Sequence, residues 1–321
     1  MTAVYGARLR GAPGSGVRVR GAPGSGVPDS GHEIGTDARE QRDGAGTNGT
    51  AGARRVRGAF DAARTEGRIA LVPYVVAGYP DAGTSLEIAL AAIDAGADLL
   101  EVGLPYSDPL ADGTTLQRAS AAALRAGATL ERSLELVHRV HAERPSIPLI
   151  PMAYVNQVVG GREPQGPMRR LSEAGASATI LADLTPDEGE PVEAAAREAG
   201  LGLIYLVTPT TPPDRRAWIA SRTGGFLYVV SLVGTTGARS ALPSEVGSFV
   251  RGVRAISPVP VAVGFGVSRG AHVRRLARVA DGVIVASALV DALGPDGRDV
   301  TSMARLVGEL RTGTSSGHRS A

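Results

Sequence analysis

The sequence predicts an α/β fold, a (β/α)8 TIM barrel with a disordered N-terminal extension. Three observations carry that expectation. Eight short apolar runs recur between Ala-rich amphipathic stretches along residues 56–312. Most runs are apolar at consecutive positions, the pattern of parallel strands covered on both faces. Several amphipathic stretches end in glycine just before the next run, as at Gly96, Gly175 and Gly200, which is how a helix stops ahead of a strand. Eight such units suit the length of one barrel. A doubly wound sheet is the alternative, because strand order is not contained in periodicity.

In chain order the strand candidates are 69–76, 99–103, 148–152, 178–181, 203–207, 226–230, 259–263 and 282–286. The helix candidates are 84–95, 130–142, 168–174, 190–199, 214–221, 244–256, 270–279 and 300–310. Residues 1–55 precede the barrel and read as a disordered extension. They hold 13 of the 43 Gly, with RGAPGSGV occurring at 10–17 and again at 20–27. Such a stretch buries too little apolar surface to offset its ordering entropy. Its eight Arg against five acids leave the rest of the chain near neutral, so no basic face for nucleic acid is expected. An Arg tail for RNA or a membrane surface is the other reading of that segment. Residues 313–321 read as a second flexible tail.

Composition excludes several chemistries. With no Cys, disulfides, thiolate-bound zinc and Cys nucleophiles are ruled out. The five His never stand at H-x3-H spacing, so no metal site is expected. Every cation is Arg and none is Lys, which removes a Schiff-base aldolase. No apolar run nears the roughly 18 residues of a membrane helix, and the N-terminus lacks a signal-peptide core. A soluble, cytoplasmic protein without membrane contact is expected.

In a barrel the chemistry sits where strands end. Glu101 interrupts the second apolar run, which is costly unless the carboxylate is paired or functional. It is either a core carboxylate satisfied by a hydroxyl or an Arg, or an acid/base. Asp108 and Asp112 follow in a Pro-rich loop; they cap turns or, for Asp112, pair with Glu101 in acid/base work. Gly264–Gly266 after the seventh run, Ser287 after the eighth and Gly234–Gly237 after the sixth form tight turns or cradle an anion on backbone N–H groups.

Those residues lie within motifs that resemble the tryptophan synthase α subunit family. LEVGLPYSDPLADGTTLQ (100–117) is similar to its signature, and LVPYVVAGYPD (71–81), the PTTP turn (209–212), YVVSLVGTTGAR (228–239) and VAVGFGVS (261–268) follow in order. The resemblance covers 56–312. It implies a lyase that splits indole-3-glycerol phosphate into indole and glyceraldehyde 3-phosphate without a cofactor of its own. It also implies a pyridoxal-phosphate β subunit as partner, which receives the indole. By motif position Glu101 and Asp112 would be catalytic. Tyr74, Tyr154, Tyr228, Thr236 and Phe265 would line the substrate, and Gly237, Gly266 and Ser287 would bind phosphate.

Departures from the pattern fall in two sets. Thr114 replaces a Pro beside the Asp112 loop, and Ala286 replaces a Gly ahead of Ser287. Where the family meets its β subunit, Asp183-Leu184-Thr185 and the 154–158 segment lack expected Pro and aromatic residues. A stand-alone indole-releasing lyase, or a non-catalytic partner of a β subunit, is therefore the alternative expectation.

Overall fold

Parallel strands hydrogen-bonded in a single ring set the frame of the protein. The computed structural model describes residues 46–230, 244–264 and 266–315, all within one unit, Ala45–Ala321. The strand segments are β1 (Ala70–Val76), β2 (Leu100–Gly103), β3 (Leu149–Ala153), β4 (Ala178–Leu181), β5 (Gly202–Ile204), β6 (Leu206–Val207), β7 (Leu227–Val230), β8 (Val261–Gly264) and β9 (Gly282–Val285). They pair in the order β5-β4-β3-β2-β1-β9-β8-β7-β6. β5 and β6 are two pieces of one strand, parted at Tyr205. β5 pairs with β4 and β6 with β7, so the chain changes partner at that residue and the ring closes as a (β/α)8 barrel.

The break has a local cause. The Tyr205 amide donates to Thr223 Oγ1 at 2.9 Å instead of to a neighbouring strand. The Tyr205 hydroxyl donates to Glu193 Oε1 at 2.7 Å, and Arg222 grips the two oxygens of the same carboxylate at 2.9 and 2.6 Å. All three side chains are buried, and a buried charge is tolerated only when paired and hydrogen-bonded in this way.

Two apolar layers follow from the alternation of each strand. Ala70, Val72, Leu99, Ile150, Ala178, Ile180, Ile204, Phe226, Ala262 and Ile284 point inward and fill the barrel. Their outward neighbours, such as Leu71, Leu100, Leu149 and Val283, pack under the surrounding helices. The helix Ala51–Thr65 closes the floor, laying Val56, Phe60 and Ala63 on the interior cluster. Phe60, Phe226 and Tyr228 then form a ladder with ring centroids 5.4 and 6.1 Å apart, running from the floor toward the strand ends.

The expected boundary at residue 55 falls inside that helix. Thr50 caps it, its hydroxyl accepting from the Ala53 amide at 3.1 Å, and Thr47 is fully buried against Leu203. The expected disorder of residues 1–45 lies outside the described residues. At the other end Thr314 is buried and its carbonyl accepts from the Ile69 amide at 3.0 Å; the barrel therefore extends past residue 312. Helices also occur at Thr114–Arg125, Val155–Val158 and Ser287–Ala292, where the apolar pattern offered no helix candidate. The first of these buries Leu116, Ala119, Ser120 and Ala123, a narrow stripe of mostly small residues that a hydrophobicity pattern registers weakly.

Candidate active site

The C-terminal ends of the strands gather the polar residues that the interior excludes. Glu101 lies on β2 facing inward, two residues beyond the interior Leu99, and is fully buried. Its register partner on β1 is Tyr74. Among the described residues neither Glu101 carboxylate oxygen has a hydrogen-bond partner. Burial, reinforced by the nearby Asp112 charge, pushes the Glu101 carboxyl up to about 8; a charged form without solvent or donors is disfavoured.

Asp112 reaches the site from the loop after β2. Burial raises its carboxyl as well, to about 6. The loop is held from several sides: the Asp112 amide donates to the Pro109 carbonyl at 3.0 Å and Gln117 Nε2 donates to the Asp112 carbonyl at 2.9 Å. Tyr154 supplies a further brace. Its hydroxyl accepts from the Ala111 amide at 2.9 Å, and its ring stacks on Tyr106 with centroids 5.2 Å apart. Gln157 Nε2 donates to the Pro105 carbonyl at 2.8 Å. The 154–158 segment, where the sequence departs from its family pattern, thus supports the loop that carries Asp112.

Tyr74 and Tyr228 complete the cluster, each made possible by a glycine. A Cβ at Gly103 would stand 1.8 Å from the Tyr74 hydroxyl, and one at Gly264 would stand 2.7 Å from that of Tyr228. Each ring therefore lies across the backbone of a neighbouring strand. Burial raises both phenols well above their ordinary range, and the Glu101 and Asp112 charges add to the effect. Glu101, Asp112, Tyr74, Tyr154 and Tyr228 are thus brought together. Gly266 and Ser287 sit at the same end, after β8 and β9, and share no hydrogen bond with that cluster. Gly266 adopts φ +30°, and Ser287 opens the helix Ser287–Ala292. Thr236, Gly237 and Phe265 lie outside the described residues.

Sequence reasoning missed Gly103, Gln117 and Gln157, and read Gly264 as part of a tight turn or an anion cradle without the ring that lies against it. The signal for the glycines was a Gly at the inward position of a strand end, which marks close approach of another group. For the glutamines there was none. Among the described residues no group of three His, Asp or Glu could hold a metal ion, and no helix is long and apolar enough to cross a membrane.

The family described as Tryptophan synthase alpha chain matches residues 60–314. The chain belongs to that family. A tryptophan synthase alpha chain from Roseiflexus sp. (strain RS-1) is 44% identical over 260 residues, covering 80% of this chain and 99% of the relative. One from Deinococcus radiodurans is 43% identical over 256 residues, covering 79% and 93%. Among solved structures, a tryptophan synthase of Mycobacterium tuberculosis superposes with a TM-score of 0.74 at 38% identity, covering 81% of this chain and 98% of that one. A tryptophan synthase subunit alpha of Legionella pneumophila gives 0.74 at 30%, with coverage of 81% and 98%. The tryptophan synthase alpha reaction, cleavage of indole-3-glycerol phosphate to indole and glyceraldehyde 3-phosphate in tryptophan biosynthesis, is accordingly the activity of this chain.

Proposed function

We propose that Glu101 and Asp112 carry this lyase reaction and that the chain works with a pyridoxal-phosphate β subunit in the cytoplasm. One observation supports the roles most: the two carboxyls straddle neutrality, Glu101 near 8 and Asp112 near 6. At pH 7 Glu101 holds its proton and Asp112 is charged. Two neighbouring acids with separated proton affinities suit an acid and an electrostatic stabiliser.

The steps balance without a cofactor. Glu101 gives its proton to indole C3, and the ring nitrogen takes the positive charge. Asp112 accepts a hydrogen bond from the ring N–H and stabilises that charge. The carbon–carbon bond then breaks, its electron pair returning to the ring. The glycerol hydroxyl loses its proton to the Glu101 carboxylate as the aldehyde forms, which restores the acid. Acid–base help of this kind contributes roughly 10²–10⁴-fold. Tyr74, Tyr154, Tyr228, Thr236 and Phe265 wall the substrate in this reading, and Gly237, Gly266 and Ser287 hold its phosphate.

A second reading rests on the 154–158 and 183–185 segments. Asn156 and Gln157 bond inward to Tyr106, Leu104 and Pro105, and Asp183 accepts from the Val155 amide at 2.8 Å. A turn occupied by its own neighbours has fewer groups for a partner, which favours weak β-subunit binding and independent indole release. Steady-state cleavage of indole-3-glycerol phosphate, with and without β subunit, separates the two. Strong stimulation supports the coupled enzyme; rapid turnover with no response supports the independent one. Glu101→Gln should abolish cleavage with substrate binding largely kept, and wild-type turnover in that variant overturns the assignment.

A further inference from the structure

The opposite end of the barrel carries an arrangement of charge that the lyase reaction does not use. Where β1, β8 and β9 begin, an open cleft of about 880 Å³ runs beside the helix Ala51–Thr65. That volume falls within the roughly 300–1,000 Å³ of small-molecule sites. β1 leads from the cleft, at Ile69, up to the carboxylate layer at Tyr74, a rise of about 16 Å.

Five arginines line the cleft, Arg57, Arg64, Arg68, Arg254 and Arg278, against two acids, Asp61 and Asp281. Ion pairs sort them. Arg68 is clamped by Glu66 and Asp98 at 2.7 Å each, so its charge is neutralised within the fold. Arg64 holds Asp61 at 2.6 Å and Arg254 holds Asp281 at 2.7 Å. Asp281 is itself anchored, accepting from the Val261 amide at 2.9 Å, which fixes Arg254 beside the start of β8. Arg57 and Arg278 have no ion pair or side-chain hydrogen bond with a described residue. Arg57 is nonetheless half-buried, and a charge partly withdrawn from water without a partner is costly. Once the pairs cancel, the cleft keeps two positive charges, in a chain whose formal charge is only +2. The remaining lining is apolar and stiff. Phe60, Ile69 and Val259 are buried, and Pro258 and Pro260 on either side of Val259 also face the cleft, each with φ fixed by its ring.

We propose that this cleft binds an organic diphosphate or triphosphate, its phosphates on Arg57 and Arg278 and its apolar body against the Pro258–Pro260 turn. Arginine suits phosphate because its planar fork donates two parallel hydrogen bonds. Two unanswered guanidiniums match a ligand carrying at least two negative charges, and the proline turn gives the rest of that ligand an apolar footing. No bond forms or breaks, and the site stands whether or not the catalytic roles proposed above hold.

The test is calorimetric titration of the full chain with ADP in the absence of metal ions, alongside Arg57→Gln and Arg278→Gln. Wild type should bind one ADP per chain. Each substitution should weaken binding by about tenfold, with melting temperature and indole-3-glycerol phosphate cleavage unchanged. The eight Arg of residues 1–55 remain in every variant, so a loss of binding maps to the cleft. Pyrophosphate should bind several-fold more weakly than ADP, because it leaves the apolar lining uncovered. Three results would each overturn the proposal: no saturable binding of ADP, binding unchanged when both arginines are replaced, or pyrophosphate held as tightly as ADP. If Arg57→Gln fails to fold, Arg278→Gln, at an exposed position, decides the question alone.

Discussion

A carboxyl kept inside an apolar barrel destabilises the fold in a way that pH exposes. Glu101 is raised from its ordinary 4.5 to about 8. Between those values the folded chain holds one proton more than the unfolded chain at this site. Stability therefore falls as pH rises, by about 1.4 kcal/mol per pH unit, and the loss is complete above the folded value. Gln mimics the neutral acid and cannot ionise. Glu101→Gln should melt increasingly above wild type as pH goes from 5 to 8, while losing activity; a stability difference that is flat across that range would contradict the burial argument. The glycine at 264 makes a second prediction at this scale. An added methyl would meet the Tyr228 ring and hydroxyl at 2.7 Å, against van der Waals limits, so the ring must leave its place. Gly264→Ala should cut kcat/KM by about tenfold or more, measured by steady-state cleavage, with the fold retained. Glu101 was legible because one charge in an apolar run is conspicuous. Gly264 was visible as a turn former or part of an anion cradle but not as the seat of a ring, because the ring it accommodates comes from another strand.

At the scale of elements, strands were more legible than the helices between them. Consecutive apolar residues such as 99–103 mark a strand buried on both faces, whereas Thr114–Arg125 presents mostly alanine to the core. The split at Tyr205 was illegible for a different reason. Its cause is a hydrogen bond from the Tyr205 amide to Thr223 and an ion pair between two flanking helices, contacts distant in sequence. The loop of Asp112 shows how several elements hold one residue proposed to be catalytic. Tyr154 sits on the turn after β3, yet its hydroxyl fixes the Ala111 amide next to Asp112. In Tyr154→Phe the amide turns to water and the loop gains freedom. Because Ala111 is exposed, stability should change by no more than about 1 kcal/mol. In the proposed reaction Asp112 must be held within a fraction of an ångström, so kcat/KM should fall by about tenfold. Thermal unfolding and steady-state kinetics on the same variant check both halves; an equal loss in each would mean the hydroxyl serves folding alone.

Across the whole molecule the two ends of the barrel divide the labour. The strand ends carry the carboxylates and tyrosines, while the floor is sealed by residues 46–65. The seal depends on single atoms that composition cannot reveal. Thr47 Oγ1 accepts from the Leu203 amide at 2.7 Å, and a Cβ at Gly224 would stand 2.3 Å from that oxygen. A side chain at Gly52 would strike the Ser177 carbonyl at 1.8 Å, so the helix Ala51–Thr65 starts in direct backbone contact with the barrel. Averaged over a window, TNGTAGARR reads as the end of a polar tail. Only the spacing of Val56, Phe60 and Ala63 hints at a helix with one apolar stripe. A chain beginning at residue 56 should therefore be weaker than one beginning at Ala45. It loses the Thr47 bond, the Thr50 cap and the buried first turn, together about 3 kcal/mol. In a domain of this size that is roughly 6–12 °C in melting temperature. Cleavage at 20 °C should stay within about twofold, because nothing removed reaches the strand ends. Equal melting of the two chains would mean that the floor helix holds without its first turn; a matched loss of activity would mean that the ends are coupled through the aromatic ladder of Phe60, Phe226 and Tyr228.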